Sequence, residues 1–417
     1  MYLSLYANEK GEILEHLGIR MLGRSGMDWV VSEEEEMIPL PKGSSLVSMP
    51  GHIPVGVNAE EAVSYFNMDP RNRKGTVKAV AALLPQGFTR TLLPASVAPA
   101  ECGSLPLMGY AAVGLKDDQI YVAAVQSDEH RKWHPTYYNT EGLPQKISVM
   151  LKKYPDNRIF RQIARCSLEY GCFTAQNIFY QRWEGGIPTY SACNANCIGC
   201  ISESHLDVDS PQNRIDFLPT VQEVSEMGIE HLQHARDGII SFGQGCEGEP
   251  SLNADRLAPA IEKIRQSTDK GTINMNTNAG YTAGIKQVCD AGMDAMRVTL
   301  FSPVEESYNY YHRPKNYHLA DVENSIRYAK EKNLRVSLNL LVFPGFTDRE
   351  DQLETLIEWT QKLHIDMIQM RNLNMDPDLL FAGLPEGGES LGMVSFLNIL
   401  QAEMPELDIG SYTWPVR

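Results

Sequence analysis

The sequence predicts an α/β protein: a curved, partial (β/α)6 barrel of the TIM type, with an additional β-rich N-terminal domain. Two patterns in the 417 residues carry that prediction. From residue 186 onward, short β-rich runs alternate six times with amphipathic helical runs, at roughly 30–40 residues per unit, and parallel strands need such helical crossovers. The first 150 residues read differently. Prolines recur there from Pro39 to Pro106, which disfavours long helices, and short apolar runs flank turn signals.

The strand candidates of the second pattern are 187–191, 238–243, 272–279, 296–301, 335–342 and 367–373. The helical candidates are 221–235, 254–267, 283–291, 320–332, 349–363 and 390–403. Their apolar residues recur at helical spacing, as in Leu353, Leu356, Ile357 and Leu363. Six units fall two short of a closed eight-unit barrel. That favours a curved partial barrel over the alternative of a flat, doubly wound sheet. In the first part, 1–7 alternates as a strand does, and the runs 110–115 and 120–126 flank residues 116–119 as a hairpin. The segments 147–160 and 161–182 read as helices. The expected organisation is a β-rich N-terminal domain over 1–150, recruiting substrate or partner, and a helical connector over 151–185. A barrel core over 186–380 follows, and then a C-terminal helix and tail over 381–417 that pack on the core.

Composition narrows the function. Hydrophobic residues are 43% and charged residues 22%, as in folded globular chains. The net charge of −16 sets an acidic field that repels phosphate backbones, so nucleic acid is disfavoured as a partner. No apolar run reaches the roughly 18 residues of a membrane span. The start, MYLSLYANEKGE, shows no basic region followed by an apolar one, so no secretory signal is expected and the cytoplasm is the expected location.

Eight cysteines in a chain of this length are too sparse for a disulfide scaffold. Three lie within eight residues, Cys193-Asn-Ala-Asn-Cys197-Ile-Gly-Cys200, directly after the first barrel strand. Structural zinc usually takes four ligands as two separated pairs, and no second pair is present here. An ordinary 4Fe–4S cluster also takes four cysteines. Three would hold three irons and leave the fourth open to a substrate-like ligand. The readings set against this are zinc completed by Cys246 or His205, and plain reduced thiols.

The C-x3-C-x2-C spacing and its place resemble the radical S-adenosylmethionine (radical SAM) superfamily over about residues 186–380. The resemblance implies a 4Fe–4S cluster on Cys193, Cys197 and Cys200, with S-adenosylmethionine (SAM) on the open iron. It implies reductive cleavage of SAM to methionine and a 5′-deoxyadenosyl radical that takes hydrogen from a substrate. An electron donor such as flavodoxin or ferredoxin, and sensitivity to oxygen, come with it. The run Gly243-Gln-Gly245-Cys246-Glu247-Gly248-Glu249-Pro250 resembles the superfamily's glycine-rich loop, whose backbone and carboxylate meet the SAM ammonium. Gly248 and Glu249 carry that match, and Glu247 departs from it by standing where a glycine is usual. Asn274, Asn276 and Asn278 share one face of a strand by their period of two, and Asn276 and Asn278 match a TNG-like strand. Thr299 and Ser302 match a strand that meets ribose or carboxylate, and Arg313 is placed to meet the SAM carboxylate. Asn339 would bond ribose, and Gln369, with Arg371 and Asn372 nearby, would meet adenine or substrate. A second departure is Gly199, where an aromatic that packs on adenine is common.

Other features stay outside that pattern. Cys166 and Cys172 are one pair, too few ligands for a second cluster. Cys246 is a hydrogen donor, an extra ligand or a packing residue. The stretch 130–138 concentrates His and aromatic residues. The substrate, a small molecule or a protein, is not written in the barrel motifs. Two other readings stand beside the enzyme: a non-catalytic iron–sulfur or zinc-binding scaffold, and a glycyl-radical activase acting on a protein.

Overall fold

A computed structural model describes every residue except Ala100, His130 and Asp207. The chain divides into two compact units. One comprises 1–130, 341–357 and 370–406; the other comprises 131–340, 358–369 and 407–417.

Among the described residues, the first unit is built on a 12-stranded sheet and a 3-stranded sheet. Leu3–Ala7 pairs antiparallel with Ile13–Met21 and with Val113–Lys116. The expected hairpin is present: Val113–Lys116 returns as Gln119–Gln126 with Lys116 opposite Gln119. Its turn is therefore two residues, Asp117 and Asp118, both left-handed at φ 51° and 57°. Positive φ at both positions matches the right-handed twist of the flanking strands. Alanines and β-branched residues fill the face beneath, including Ala82, Ala111, Val113, Val122 and Ala124.

The second unit opens with helices Leu143–Lys153, Arg158–Glu169 and Phe173–Tyr180. Two helices were expected here. Pro155 and Gly171 divide the segment into three, and Asn157 caps the middle helix by accepting from the amides of Ile159 and Phe160.

The curled sheet that follows has, among the described residues, seven strands in sequential order. They are β1 (Arg182–Gly186), β2 (Arg236–Phe242), β3 (Thr272–Thr277), β4 (Ala295–Leu300), β5 (Arg335–Val342), β6 (Met367–Asn372) and β7 (Asp408–Gly410). The pairings β1–β2, β2–β3, β3–β4, β4–β5 and β6–β7 are parallel. The partial barrel is present, and β7 adds a short strand that the sequence pattern did not indicate. The first strand lies earlier than expected, at 182–186. Residues 187–191 lead instead from the sheet into the cysteine loop, beginning with Ile187 donating to Ser241 O at 3.0 Å.

The crossover helices are α1 (Val221–His234), α2 (Ala254–Ser267), α3 (Thr282–Asp290), α4 (Glu305–His312), α5 (Leu319–Glu331), α6 (Glu350–Leu363) and α7 (Met393–Glu403). Of these α4 was not expected, because its aromatic sequence EESYNYYH has no clear amphipathic spacing. α1 begins on a reciprocal cap in which Thr220 accepts from Glu223 N and the Glu223 carboxylate accepts from Thr220 N. Alternation along each strand sorts its side chains. Ile273 and Met275 of β3 are wholly buried, as are Met296 and Val298 of β4 and Val336 and Leu338 of β5. Each such side chain stabilises the fold by about 1.5–3 kcal/mol. Between them stand Asn274, Asn276, Arg297, Ser337 and Asn339, which form a polar second face.

Candidate active site

The cysteine loop is held on two sides. On one, Gly248 N donates to Tyr190 O at 2.7 Å and Glu249 N to Ala192 O at 2.9 Å, so the glycine-rich loop runs along the stem of the cysteine loop like an added strand. Gly248 is needed for closeness: a Cβ there would stand 2.1 Å from Ala192 O. Gly243 is required twice over, by its φ of 77° and by Asn276 O, 1.8 Å from where a Cβ would sit. On the other side the loop meets the C-terminus of α4, whose last carbonyls have no partner inside the helix. Asn196 N donates to His312 O at 3.1 Å and Ile198 N to Tyr311 O at 3.0 Å.

Cys193, Cys197 and Cys200 are free, half-buried thiols in this loop. Burial pushes the Cys193 thiol up to about 11, with the Glu249 carboxylate adding to it. Burial, then the two neighbouring thiols, push Cys197 well above its ordinary value. Each sulfur has one nitrogen donor beside it: Asn278 Nδ2 at 4.0 Å from Cys193, His312 Nδ1 at 3.3 Å from Cys197 and Arg214 Nη2 at 3.8 Å from Cys200. Burial holds the His312 imidazole down to about 3, so it is neutral.

Glu247, the departure from the glycine pattern, is an internal clamp. Its carboxylate accepts from Thr189 N at 2.7 Å, Thr189 Oγ1 at 2.9 Å, Tyr190 N at 3.3 Å, Gln244 N at 3.2 Å and also Gly243 N. One side chain thus ties the end of β2 to the stem of the cysteine loop. Burial raises its pKa to about 7. Glu249 accepts from Ser251 N at 3.0 Å, Thr277 Oγ1 at 2.6 Å and Asn278 N at 2.8 Å. Three of its four lone-pair sites are used, and one remains for a further donor.

The polar face of the sheet contains the expected amides. Asn274 Nδ2 donates to Ser241 Oγ at 2.9 Å and to Asn276 Oδ1 at 3.0 Å, and Asn278 Nδ2 to Asn194 Oδ1 at 2.7 Å. Asn339 Nδ2 donates to Thr299 Oγ1 at 3.3 Å. Gln369 is engaged below them, accepting from Arg297 Nη1 at 3.1 Å and donating to Ser337 Oγ at 3.2 Å. Ser302 Oγ accepts from Val304 N at 3.0 Å at the start of α4. Arg313 is exposed, in the left-handed residue that ends α4. Four buried polar atoms of this face have no partner among the described residues: Asn274 Oδ1, Asn276 Nδ2, Arg297 Nε and Asn339 Oδ1. A buried, unmet donor or acceptor costs about 1–3 kcal/mol, which a polar ligand removes by supplying the bond.

The loop and this polar face fit an iron–sulfur cluster with a polar ligand. No three His, Cys, Asp or Glu side chains among the described residues converge as they would around one metal ion. A four-iron cluster takes each thiolate on a different iron, and three cysteines in one short loop, each sulfur beside a nitrogen donor, fit it. The remaining cysteines lie elsewhere. Cys166 Sγ accepts from Gln162 Nε2 at 3.4 Å, and Cys172 Sγ lies 3.3 Å from Thr174 Oγ1. His130 lies outside the described residues, while Trp133 and Tyr138 of the same stretch are buried with Trp183 and Tyr412. A cavity of ≈ 970 Å³ lined by Asp28, Glu33, Glu36, Arg349 and Glu389 belongs to the first unit and shares no residue with the cysteine loop.

A curled parallel half-barrel, with three cysteines in its first βα loop and a glycine-rich loop after β2, defines a class of enzymes that use a 4Fe–4S cluster and SAM. Residues 187–359 match the model of the Radical SAM superfamily, so the chain carries a radical SAM domain over that stretch. No curated protein matches the chain. Among solved structures it is similar to methylornithine synthase (PylB), at 13% identity over 64% of this chain and 70% of that one, TM-score 0.39. It is similar to a radical SAM methyltransferase from Sphaerobacter thermophilus, at 16% identity over 55% and 65%, TM-score 0.39. It is also similar to native anSMEcpe with bound AdoMet, at 17% identity over 46% and 52%, TM-score 0.35.

Sequence reasoning did not single out His312 or Arg214, and it read Glu247 only as a missing glycine. His312 stands beside Arg313, which the resemblance marks for the SAM carboxylate, and nothing in local spacing marks a residue that meets the cysteine loop from more than a hundred positions away.

Proposed function

We propose that Cys193, Cys197 and Cys200 hold the cluster and that SAM lies over the polar face of β3 to β5, with hydrogen abstraction from a bound substrate as the reaction. The single observation that carries this is the set of unmet buried polar atoms on Asn276 and Asn339, on the same polar face as the residues beside the cysteine loop. When bound and reduced, the cluster supplies the electron that breaks a sulfur–carbon bond of SAM. The chain's own residues bind and orient. The free lone pair of Glu249 accepts from the SAM ammonium, Gly248 lets backbone approach it closely, and Asn278 holds the cysteine stem through Asn194. Asn339 and Thr299 meet ribose hydroxyls, and Asn276 Nδ2 donates to a ligand oxygen. Ser302 and Gln369 support these positions through their own hydrogen bonds, and Arg313 is the exposed cation at the rim for a carboxylate. Burial of Glu249, Asn276, Asn278, Ser302 and Gln369 keeps water from them, which keeps a radical from being quenched outside the site. The electron comes from a flavodoxin- or ferredoxin-like donor, and the substrate is a small molecule or a protein segment.

The test is anaerobic reconstitution with iron and sulfide, followed by dithionite and SAM. Methionine and 5′-deoxyadenosine are the expected products. Stoichiometric zinc without sulfide in anaerobically purified protein, or a loaded cluster that never cleaves SAM, would leave a non-catalytic scaffold as the reading. Transfer of a radical to a glycine of a partner protein would identify an activase.

A further inference from the structure

The imidazole of His312 is wholly buried at the end of α4, and its two nitrogens have different partners. Phe301 N donates to Nε2 at 3.1 Å, so Nε2 is the acceptor. With Nε2 accepting, the ring's proton is on Nδ1, which faces Cys197 Sγ at 3.3 Å. A protonated Nδ1 cannot ligate iron or zinc, but it can donate to a sulfur that does. The ring has little freedom to turn, because Tyr308 lies against it at 4.4 Å between centroids and Tyr311 meets it edge-on at 5.0 Å. The backbone of the same residue accepts from Asn196 N, the residue before Cys197. His312 therefore holds the middle of the cysteine loop by both its main chain and its side chain. The donors at the other two sulfurs stand further off, Asn278 Nδ2 at 4.0 Å from Cys193, and Ser202 Oγ at 3.5 Å and Arg214 Nη2 at 3.8 Å from Cys200.

We propose that His312 is a positioning residue for the cluster: its Nδ1–H donates to the Cys197 sulfur, fixes that thiolate's orientation and raises the cluster's reduction potential. This rests on the cysteine assignment above. The direction follows from charge. Reduction puts more negative charge on the cluster and its sulfurs, and a hydrogen bond to sulfur stabilises the reduced form more than the oxidised one. The bond would thus make the cluster easier for a donor protein to reduce, while lowering its driving force toward SAM. Neither effect requires His312 to touch SAM or substrate.

The test is a redox titration of the reconstituted protein without SAM, followed by electron paramagnetic resonance. His312→Phe keeps an aromatic ring and removes the donor, and it should shift the midpoint potential to more negative values with iron and sulfide content retained. His312→Asn places an amide nitrogen near the former Nδ1 and should fall closer to the native value. A native midpoint in a fully loaded His312→Phe protein overturns the proposal. Should His312→Phe fail to load, the native protein decides. Grown with ¹⁵N-histidine, its reduced cluster should show a histidine nitrogen coupling that disappears in a loaded His312→Asn protein. No such coupling in the native protein overturns the proposal. Failure of the native protein to form any cluster overturns the cysteine assignment together with it.

Discussion

Single atoms decide much of this site. Adding one methyl group at Gly248 would bring it 2.1 Å from a backbone oxygen of Ala192, which has no flexible end to move. Gly248→Ala should cost about 1–3 kcal/mol as an overpacked contact and loosen the cysteine stem, so anaerobic reconstitution should return less iron per chain. Glu247→Gln replaces an acceptor of five hydrogen bonds by an amide whose nitrogen faces only donors. It should lower stability by about 1–3 kcal/mol, read as a drop in melting temperature. Asn339 gives the opposite contrast. Its Oδ1 has no partner among the described residues, so Asn339→Leu should leave the melting temperature of the SAM-free protein unchanged or raised. The same change should weaken SAM binding by about tenfold, or about 1.4 kcal/mol, in calorimetry of the loaded protein. An Asn339→Leu protein with native SAM affinity would remove Asn339 from the proposed site.

At the scale of elements, α1 is anchored where the helical connector meets it. Arg158 Nε and Nη2 both donate to the Glu223 carboxylate at 2.7 Å, while Glu223 closes the cap with Thr220. The Arg158 guanidinium, with the capping amides, holds the Glu223 carboxyl down to about 2. A carboxylate whose pKa is depressed by folding stabilises the fold above its ordinary range, and that stability is lost as pH falls through the folded value. Native protein should therefore melt higher than Glu223→Gln at neutral pH, by about 1 kcal/mol of stability. The gap should close between pH 4.5 and about 2. Calorimetry of both proteins across that range checks it, and comparing the pair cancels the titration of every other group. A constant gap down to pH 2 would show that Glu223 acts by shape and not by charge.

At the scale of the molecule, stability should be graded along the sheet. All six residues of β3 are buried, with parallel neighbours on both sides. The segments 202–206 and 208–213 lie outside regular structure and are exposed or half-exposed. Amide hydrogen exchange should be slowest in β3 and β4 and fast in those two segments, because exchange from central strands requires global opening. Loading the cluster should slow exchange at 193–200 and at the end of α4, which share backbone hydrogen bonds.

Much of this was legible in the linear chain. The alternation of strand and helix, the amides of β3 on one face and the cysteine spacing are local patterns, each repeating over a few residues. They determined the half-barrel and the kind of cofactor. Of the boundaries that moved, one did so for a local reason that competes with periodicity, Pro155 breaking a helix, and one through a distant contact, since Thr189 and Tyr190 donate to Glu247 where a strand was expected. Tertiary structure alone decided the rest. Glu247 reads as a misfit in the sequence, and only the fold brings five donors onto its carboxylate. His312 acquires a defined proton position because Phe301, eleven residues before it, supplies an amide to one ring nitrogen and Cys197, more than a hundred residues before it, lies against the other. A hydrogen bond across that separation leaves no periodic trace, because it depends on where the crossovers return the chain and not on which residues stand side by side.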